Sequence, residues 1–263
     1  MSIDASASVH PTALIDPSAE IGANVSIGPF CVIGAHVRIG AGTTVAAHVV
    51  IEGPTTIGCD NQIHSFSVLG GDPQDKKFHG EHCELVIGDR NLIREFCTFN
   101  RGTADDGSVT RIGSDNWIMA YVHIAHDCLV GDRCVFANAA SLAGHVKIGN
   151  QVILGGFTLV HQFCQVGDHA FTSMGSVINR DVPPFVTVAG QYAEPHGINS
   201  EGLRRRGFSS DRIMGIKRAY RAIYKSGLPL AEAREKLAEM AVDLPDVKQM
   251  LDFIDNSQRS LVR

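Results

Sequence analysis

Histidine side chains recur in this sequence at spacings that would bring them together in a periodic fold. His126, His145 and His161 fall within one residue of successive eighteen-residue steps, and His123 lies three residues before the first of them. An imidazole, with an ordinary pKa of about 6.5, can take a proton from a hydroxyl at neutral pH, and it is also a common zinc ligand. If the eighteen-residue step is structural, the three histidines form a column at one corner of the fold. His169 falls on another face, where we expect a surface side chain.

An apolar or β-branched residue at every sixth position supplies that step. The unbroken run is Ile112, Ile118, Ile124, Val130, Phe136, Leu142, Ile148, Leu154, Val160, Val166, Thr172 and Ile178. A second run from Val9 to Leu69 has the same period. A six-residue period fits neither a helix nor a simple strand, and it is typical of a parallel β-solenoid. We predict a mainly β fold, a left-handed parallel β-helix, in which three hexapeptides form one triangular coil and the coils stack roughly 4.8 Å apart into a prism.

Two polar segments interrupt the period and predict loops that leave the prism. Residues 70–86 place Asp75 and Glu81 at the register positions, where a core residue is required. Residues 100–111 lose the register within a polar, glycine-containing stretch that includes Asp105 and Asp106. Loops on a rigid scaffold often carry functional residues, so both loops are candidates for substrate binding.

The repeat should end at Pro183 and Pro184, because consecutive prolines cannot continue a strand ladder. From Ser209 onward we expect three helices. The first is capped by Ser209 or Ser210 and ends before Gly227, the second begins near Pro229, and the third begins after Pro245. We therefore divide the chain into a β-helix, residues 1–190, and a C-terminal α-helical domain, residues 191–263.

Charge and composition narrow the class of protein. Residues 201–226 contain eight basic and two acidic side chains, although the whole chain has a net charge of −5, so this segment should meet an acidic partner or a phosphate. No stretch approaches the roughly 18 apolar residues that cross a bilayer, and the N-terminus resembles no leader, so we expect a cytoplasmic protein. The seven cysteines are odd in number and never in CxxC spacing, which favours reduced thiols over disulfides or structural zinc.

Four segments carry a specific resemblance to a known family. They are HIAHDC at 123–128, LAGHV at 142–146, VHQFC at 160–164 and NSEGLRRRGF at 199–208. In this order they resemble the UDP-N-acetylglucosamine 3-O-acyltransferases that begin lipid A biosynthesis in Gram-negative bacteria. The resemblance implies transfer of a 3-hydroxyacyl group from the phosphopantetheine thioester of acyl carrier protein to the 3-hydroxyl of UDP-N-acetylglucosamine. It implies no separate cofactor, no metal, no nucleic acid and no membrane insertion.

The resemblance also implies a catalytic centre. His126 matches the general base, Asp127 matches the carboxylate that orients it, and the backbone N–H of Gly144 matches the donor to the oxyanion. Neighbouring residues in a strand point to opposite faces, so pairing of His126 with Asp127 requires a turn.

A larger set is implied to hold the substrates. It consists of Asp75, Lys77, His123, His145, His161, Gln162, Asn199, Glu201, Arg205 and Arg206. Arginine suits the diphosphate because its guanidinium donates two parallel hydrogen bonds. Asn100 stands where the family often has histidine, so the resemblance assigns that side chain no direct role.

A second column of small or flexible residues lies on a different face and predicts a groove for an acyl chain. Its members are Ala120, Asn138, Gly156 and Met174. Met174 matches a position where glycine admits a longer chain in some family members, so we expect it to close the groove and to select a chain of about ten carbons.

Solenoids of this kind usually associate as homotrimers, and a threefold contact would set the histidine corner of one subunit against another face of its neighbour. The cleft between subunits would then hold the substrates. Acyl carrier protein, which is acidic, should dock on basic residues such as Arg204, Lys217, Arg218 and Arg221.

Other classes of function remain open at this stage. His123, His126 and His145 could hold a zinc ion, as in carbonic anhydrases built on the same solenoid, but Asp127 and the basic segment disfavour that interpretation. An acyltransferase that acts on an amine, an acetyltransferase that uses coenzyme A, and a purely structural solenoid are further alternatives. The loop with Asp75 and Lys77, together with the segment 199–208, disfavours the two enzymes, and the histidine column disfavours a structural role.

Overall fold

The computed structural model describes residues 2–104 and 107–263. Asp105 and Asp106, which belong to the second predicted loop, lie outside the described part. Most strands contain only two residues, the first facing outward and the second buried, because each hexapeptide spends its remaining residues on a turn. The strands assemble into three sheets, A, B and C, which form the three faces of a triangular prism.

Sheet A contains β1 (Ser2–Ile3), β4 (Glu20–Ile21), β7 (Val37–Ile39), β10 (Thr55–Ile57), β13 (Glu84–Ile87), β16 (Val109–Ile112), β19 (Leu129–Val130), β22 (Lys147–Ile148) and β25 (Gln165–Val166). Sheet B contains β2 (Ser8–Val9), β5 (Ser26–Ile27), β8 (Thr44–Val45), β11 (Gln62–Ile63), β14 (Leu92–Ile93), β17 (Trp117–Ile118), β20 (Val135–Phe136), β23 (Ile153–Leu154), β26 (Phe171–Thr172), β28 (Val186–Gly190) and β29 (Ala193–Ile198). Sheet C contains β3 (Leu14–Ile15), β6 (Val32–Ile33), β9 (Val50–Ile51), β12 (Val68–Gly71), β15 (Thr98–Asn100), β18 (His123–Ile124), β21 (Ser141–Leu142), β24 (Leu159–Val160) and β27 (Val177–Ile178).

The predicted eighteen-residue step is the repeat of this prism. In sheet C the inward residues Ile124, Leu142, Val160 and Ile178 follow one another in parallel register. They are buried with their equivalents in the other sheets to form one continuous apolar core along the prism axis. Side chains eighteen residues apart therefore lie above one another, as the sequence predicted.

Both predicted loops leave the prism at the corner between sheets C and A, here called the C–A corner. Loop 1 comprises residues 72–83, between β12 and β13, and loop 2 comprises residues 101–108, between β15 and β16. Both are shorter than the predicted 70–86 and 100–111, because the flanking strands extend into the polar segments. Arg101 anchors loop 1 by donating to the carbonyls of Gly53 (2.7 Å) and Gly70 (2.8 Å) and by pairing with Asp72.

The C-terminal part contains four helices: α1 (Ser200–Arg205), α2 (Ser210–Tyr224), α3 (Leu230–Ala241) and α4 (Pro245–Asn256). The Ser209 hydroxyl caps α2 by accepting from the Arg212 N–H, as predicted. The three helices expected from Ser209 onward are confirmed as α2, α3 and α4. Helix α1, which precedes them, was not predicted, because six residues are too few to show a helical period. The expected end of the ladder at Pro183 was too early, since β28 adds a further strand to sheet B. Within the described residues, none of the helices has the length and apolarity to span a bilayer.

The outward positions of the three sheets differ sharply in charge. Sheet A presents Glu20, Arg38, Arg111 and Lys147. The outward positions of β14, β17, β20 and β23 in sheet B are Leu92, Trp117, Val135 and Ile153, and those of β3, β6, β9 and β24 in sheet C are Leu14, Val32, Val50 and Leu159. The charged outward side chains therefore lie mainly on sheet A, whereas the strands of sheets B and C named here present apolar side chains.

Candidate active site

The C–A corner holds a histidine–carboxylate pair. His126 and Asp127 follow β18, and Asp127 has φ 59°, which is the turn that pairing of the two side chains requires. The Nδ1 atom of His126 lies 2.8 Å from Oδ2 of Asp127. A carboxylate only accepts, so Nδ1 carries the proton and Nε2 has its lone pair directed away from the carboxylate. This tautomer is the one that a general base needs.

Asp127 is almost fully buried, and its carboxylate accepts hydrogen bonds from several donors. Its Oδ1 accepts from the backbone N–H of Thr103 (2.8 Å), and its Oδ2 accepts from the Thr103 hydroxyl (2.6 Å) as well as from His126. The Asp127 N–H donates to the Thr110 hydroxyl at 2.8 Å. A buried charge is stable only when it is paired and hydrogen-bonded in this way. Thr103 was missed from the sequence, because nothing in the spacing of loop 2 shows where that loop returns to the prism.

Gly144 lies eighteen residues after His126, and its lack of a side chain makes room for the imidazole. A Cβ atom at this position would lie 2.5 Å from Cε1 and 2.7 Å from Nε2 of His126. Among the residues that the structure describes, no protein group accepts a hydrogen bond from the Gly144 N–H. The expected role of this N–H as the donor to the oxyanion stays a prediction.

A cavity of about 870 Å³ opens in front of His126. Its lining combines the C–A corner with loop 1 and includes Asp75, Lys77, Thr103, His126, His145 and Gln162. The Lys77 N–H donates to the Asp75 carboxylate at 2.9 Å, and this hydrogen bond lowers the pKa of Asp75. Loop 1 thus places a carboxylate and an ammonium group on the lining of the cavity that His126 also lines. The expected role of Asp75 and Lys77 in substrate binding stays a prediction.

The other candidate histidines have distinct surroundings. His145 forms an edge-to-face contact with His126, with ring centroids 5.1 Å apart, and stacks on Phe163 at 4.4 Å. His161 is exposed at the same corner. His123 faces outward from sheet C, its Nδ1 is 2.8 Å from the Thr98 hydroxyl, and burial lowers its pKa.

Four residues that the resemblance assigns to the nucleotide gather elsewhere, at the corner between sheets A and B (the A–B corner): Asn199, Glu201, Arg205 and Arg206. Gln162, which it assigns to the same substrate, lines the cavity at the C–A corner instead. Asn199 caps α1, and its Nδ2 donates to the carbonyl of His169 at 3.0 Å. Arg206 lies 3.4 Å from Nδ1 of His169, and Glu201 pairs with Arg205. Within one chain, these residues and the His126 pair therefore occupy two different corners of the prism.

The expectation that His169 is a surface side chain was wrong. His169 is buried and stacks on Phe185, with Phe208 against its edge. Burial, followed by the nearby charge of Arg206, lowers its pKa to about 4. The register placed His169 on the correct face, but it does not show that the chain after β28 folds back over that face.

The predicted acyl-chain column lies at the third corner, between sheets B and C (the B–C corner). Asn138 and Met174 are exposed there, and Gly156 is half-buried between them. Below them on the same corner, exposed rings stack at separations of 4.9 to 5.1 Å to form an aromatic ladder: Phe30, His48, Phe66, Phe96 and Tyr121. Such a long exposed apolar edge is characteristic of a contact surface.

The basic residues predicted to dock a partner lie on α1 and α2. Arg204, Lys217, Arg218 and Arg221 are all exposed, and Arg204 pairs with Glu201. The three residues of α2 are therefore accessible to an acidic surface.

His126, Asp127 and His145 could together hold a cation, since one ligand atom from each lies within 4.8 Å of the others. This set differs from the zinc set considered from the sequence, because His123 lies on the outward surface of sheet C and contacts Thr98 instead. The Asp127 carboxylate is already occupied by donors from Thr103 and His126. The arrangement fits a hydrogen-bonded base better than a metal centre.

Comparison with known proteins identifies the families that the chain resembles. Residues 181–262 match the family described as Udp N-acetylglucosamine O-acyltransferase, Domain 2, and residues 18–53 and 110–144 match the bacterial transferase hexapeptide (six repeats). Acyl-[acyl-carrier-protein]--UDP-N-acetylglucosamine O-acyltransferases from Stenotrophomonas maltophilia (strain K279a) and Thiobacillus denitrificans are each 59% identical over 198 residues. The matched region covers 75% of this chain in both cases, and 75% and 77% of the two relatives.

Solved structures agree over a larger part of the chain. LpxA from Acinetobacter baumannii superposes with a TM-score of 0.94 at 46% identity, covering 97% of this chain and 99% of that one. UDP-N-acetylglucosamine O-acyltransferase from Moraxella catarrhalis gives 0.95 at 46% identity with the same coverage.

The left-handed parallel β-helix and its corner histidine pair define a hexapeptide-repeat acyltransferase. Both the predicted fold class and the family resemblance are confirmed. The chain belongs to the UDP-N-acetylglucosamine O-acyltransferase family.

Proposed function

We propose that the protein transfers a 3-hydroxyacyl group from acyl carrier protein to the 3-hydroxyl of UDP-N-acetylglucosamine, the first step of lipid A biosynthesis, in the cytoplasm. Family membership and the names of the relatives support the reaction. The single structural observation that carries the mechanism is the hydrogen bond from His126 Nδ1 to Asp127, which leaves Nε2 free beside an open cavity.

In the proposed mechanism, Nε2 of His126 takes the proton of the sugar 3-hydroxyl as its oxygen attacks the thioester carbon. The negative charge that develops on the thioester oxygen is stabilised by the Gly144 N–H. The C–S bond then breaks, and the imidazolium returns the proton to the departing thiolate. Asp127 stabilises the imidazolium between these two proton transfers. General-base catalysis of this kind contributes about 10² to 10⁴ in rate, and it needs no cofactor beyond the carrier's phosphopantetheine.

The position of the two half-sites supports assembly as a homotrimer. The His126 pair lies at the far edge of sheet C, and Asn199 and Arg206 lie at the far edge of sheet B. These two sheets share the B–C corner, so a threefold axis along that corner would pack sheet C of one subunit on sheet B of the next. The acylation centre of one chain would then face the nucleotide residues of its neighbour. The apolar outward surfaces of sheets B and C support this packing, whereas charged sheet A would stay in water.

The acyl chain would run along the B–C corner, past Asn138 and Gly156, towards Met174. Met174 is exposed in the single chain, and its side chain would close this groove and limit the acyl group to about ten carbons. Acyl carrier protein would approach α2, where Lys217, Arg218 and Arg221 offer positive charge for its acidic surface.

A direct test incubates the purified protein with UDP-N-acetylglucosamine and carrier proteins bearing 3-hydroxyacyl groups of increasing length, and follows products by mass. Wild-type protein should transfer a short chain, His126→Ala should lose transfer, and Met174→Gly should accept longer chains. His10→Ala provides the matched control, because His10 is an exposed histidine of the first coil. Absence of transfer by a folded wild-type trimer would refute the proposed reaction.

A further inference from the structure

We infer that Thr103 of loop 2 is a positioning residue that fixes Asp127 on His126 and thereby selects which imidazole serves as the base. The inference deepens the proposed function, on which its kinetic test rests. It starts from an ambiguity in the site. Oδ2 of Asp127 is 2.8 Å from Nδ1 of His126, and Nε2 of His145 is less than an ångström further away, at 3.7 Å. A modest rotation of the carboxylate would therefore exchange one imidazole for the other.

Thr103 removes that freedom by holding both carboxylate oxygens. Its backbone N–H binds Oδ1 at 2.8 Å, and its hydroxyl binds Oδ2 at 2.6 Å. Two hydrogen bonds to the two oxygens fix the plane of a carboxylate, whereas one would leave it free to turn. Thr110 fixes the backbone of the same residue by accepting from the Asp127 N–H. With both ends held, Oδ2 stays directed at His126.

The side chain of Thr103 is suited to this role for a second reason. Its hydroxyl is buried together with the carboxylate that it binds, so water cannot readily replace it when it is lost. Among the described residues of loop 2, Thr103 alone donates hydrogen bonds to Asp127, one from its backbone N–H and one from its hydroxyl. Thr103 would thus contribute to catalysis through Asp127, and its own side chain would take no part in the proton transfer.

The test compares Thr103→Val, which keeps the shape and the backbone N–H but loses the hydroxyl, with Thr103→Ser, which keeps both donors. Loss of a hydrogen bond to a buried charge should lower kcat roughly 10- to 100-fold in the valine variant. KM for the sugar nucleotide should change by less than about twofold, because the contact acts on the base and leaves ground-state binding unchanged. The serine variant should recover most of the activity. A positioning role predicts this split between kcat and KM, whereas a general loss of structure would affect both.

A measurement that does not depend on turnover separates this inference from the proposed function. Proton NMR should show a downfield Nδ1–H resonance that is absent in His126→Ala, displaced in Thr103→Val and retained in Thr103→Ser. Circular dichroism should show that all variants keep the β-helix. Unchanged kcat and an unchanged resonance in Thr103→Val would overturn the inference, and so would equal losses in the valine and serine variants. If wild-type protein transferred no acyl group, the proposed function would fail while the resonance would still report on the Thr103 contact.

Discussion

Replacing Gly144 by alanine should inactivate the enzyme by displacing the base. The new Cβ would lie 2.5 Å from Cε1, 2.7 Å from Nε2 and 3.1 Å from Nδ1 of His126. Real carbon contacts are about 3.5 to 4.0 Å, so the ring must move by roughly an ångström. A shift of that size would break the 2.8 Å hydrogen bond to Asp127. Loss of general-base catalysis is worth about 10² to 10⁴ in rate, and we expect kcat to fall at least 100-fold.

The substitution separates two roles of Gly144, because alanine keeps the backbone N–H proposed to bind the oxyanion. A large loss would therefore come from the displaced imidazole. The assay is steady-state transfer from acyl carrier protein, together with thermal unfolding. The melting temperature should change by only a few degrees, since the ring can turn into the open cavity. Gly71→Ala is the matched control: its Cβ would meet Asn100 Nδ2 at 3.6 Å and Val68 Cγ1 at 3.8 Å, which are ordinary contacts. Full activity of Gly144→Ala would refute the proposed position of the base.

Three further predictions test other parts of the structure. The free energy of unfolding should fall as the pH drops from 6.5 towards 4, by up to about 3 kcal/mol from His169 alone. In this range the unfolded chain binds a proton at His169, whereas the native state, in which the pKa of His169 is about 4, does not. When chemical denaturation is measured across this pH range, the free energy of unfolding should depend less on pH in His169→Phe than in the wild type. Cys59 is the exposed cysteine and the other six are buried, so Ellman's reagent should titrate one thiol rapidly in the native protein and seven after unfolding; several fast thiols would contradict the structure. Tyr121→Asp should dissociate the proposed trimer in sedimentation, whereas Thr56→Asp on sheet A should leave it intact.

The sequence predicted those parts of the fold that depend only on spacing. A six-residue period determines which side chains point inward, so the placement of Ile124 over Leu142 and the common corner of His126 and His145 followed without a structure. The path of a loop that leaves the repeat does not follow from this period. Thr103 reaches Asp127 because loop 2 folds back on the C–A corner, and no period records that return. Likewise, His169 is covered by a segment whose path is set by tertiary packing, so its face was predictable and its burial was not.

The coil repeat has a consequence for how this protein could change in length. Each coil contacts mainly the coils directly above and below it, so the energy of the prism is close to a sum of neighbour terms. Adding or removing eighteen residues among the coils before Ile57 would shift the N-terminal end along the axis without rotating any residue of the C–A corner. A single added residue within one coil would instead turn one side chain of that coil from the core to the surface. Whole coils near the N-terminus are therefore units that could be duplicated or deleted while the acylation centre keeps its geometry.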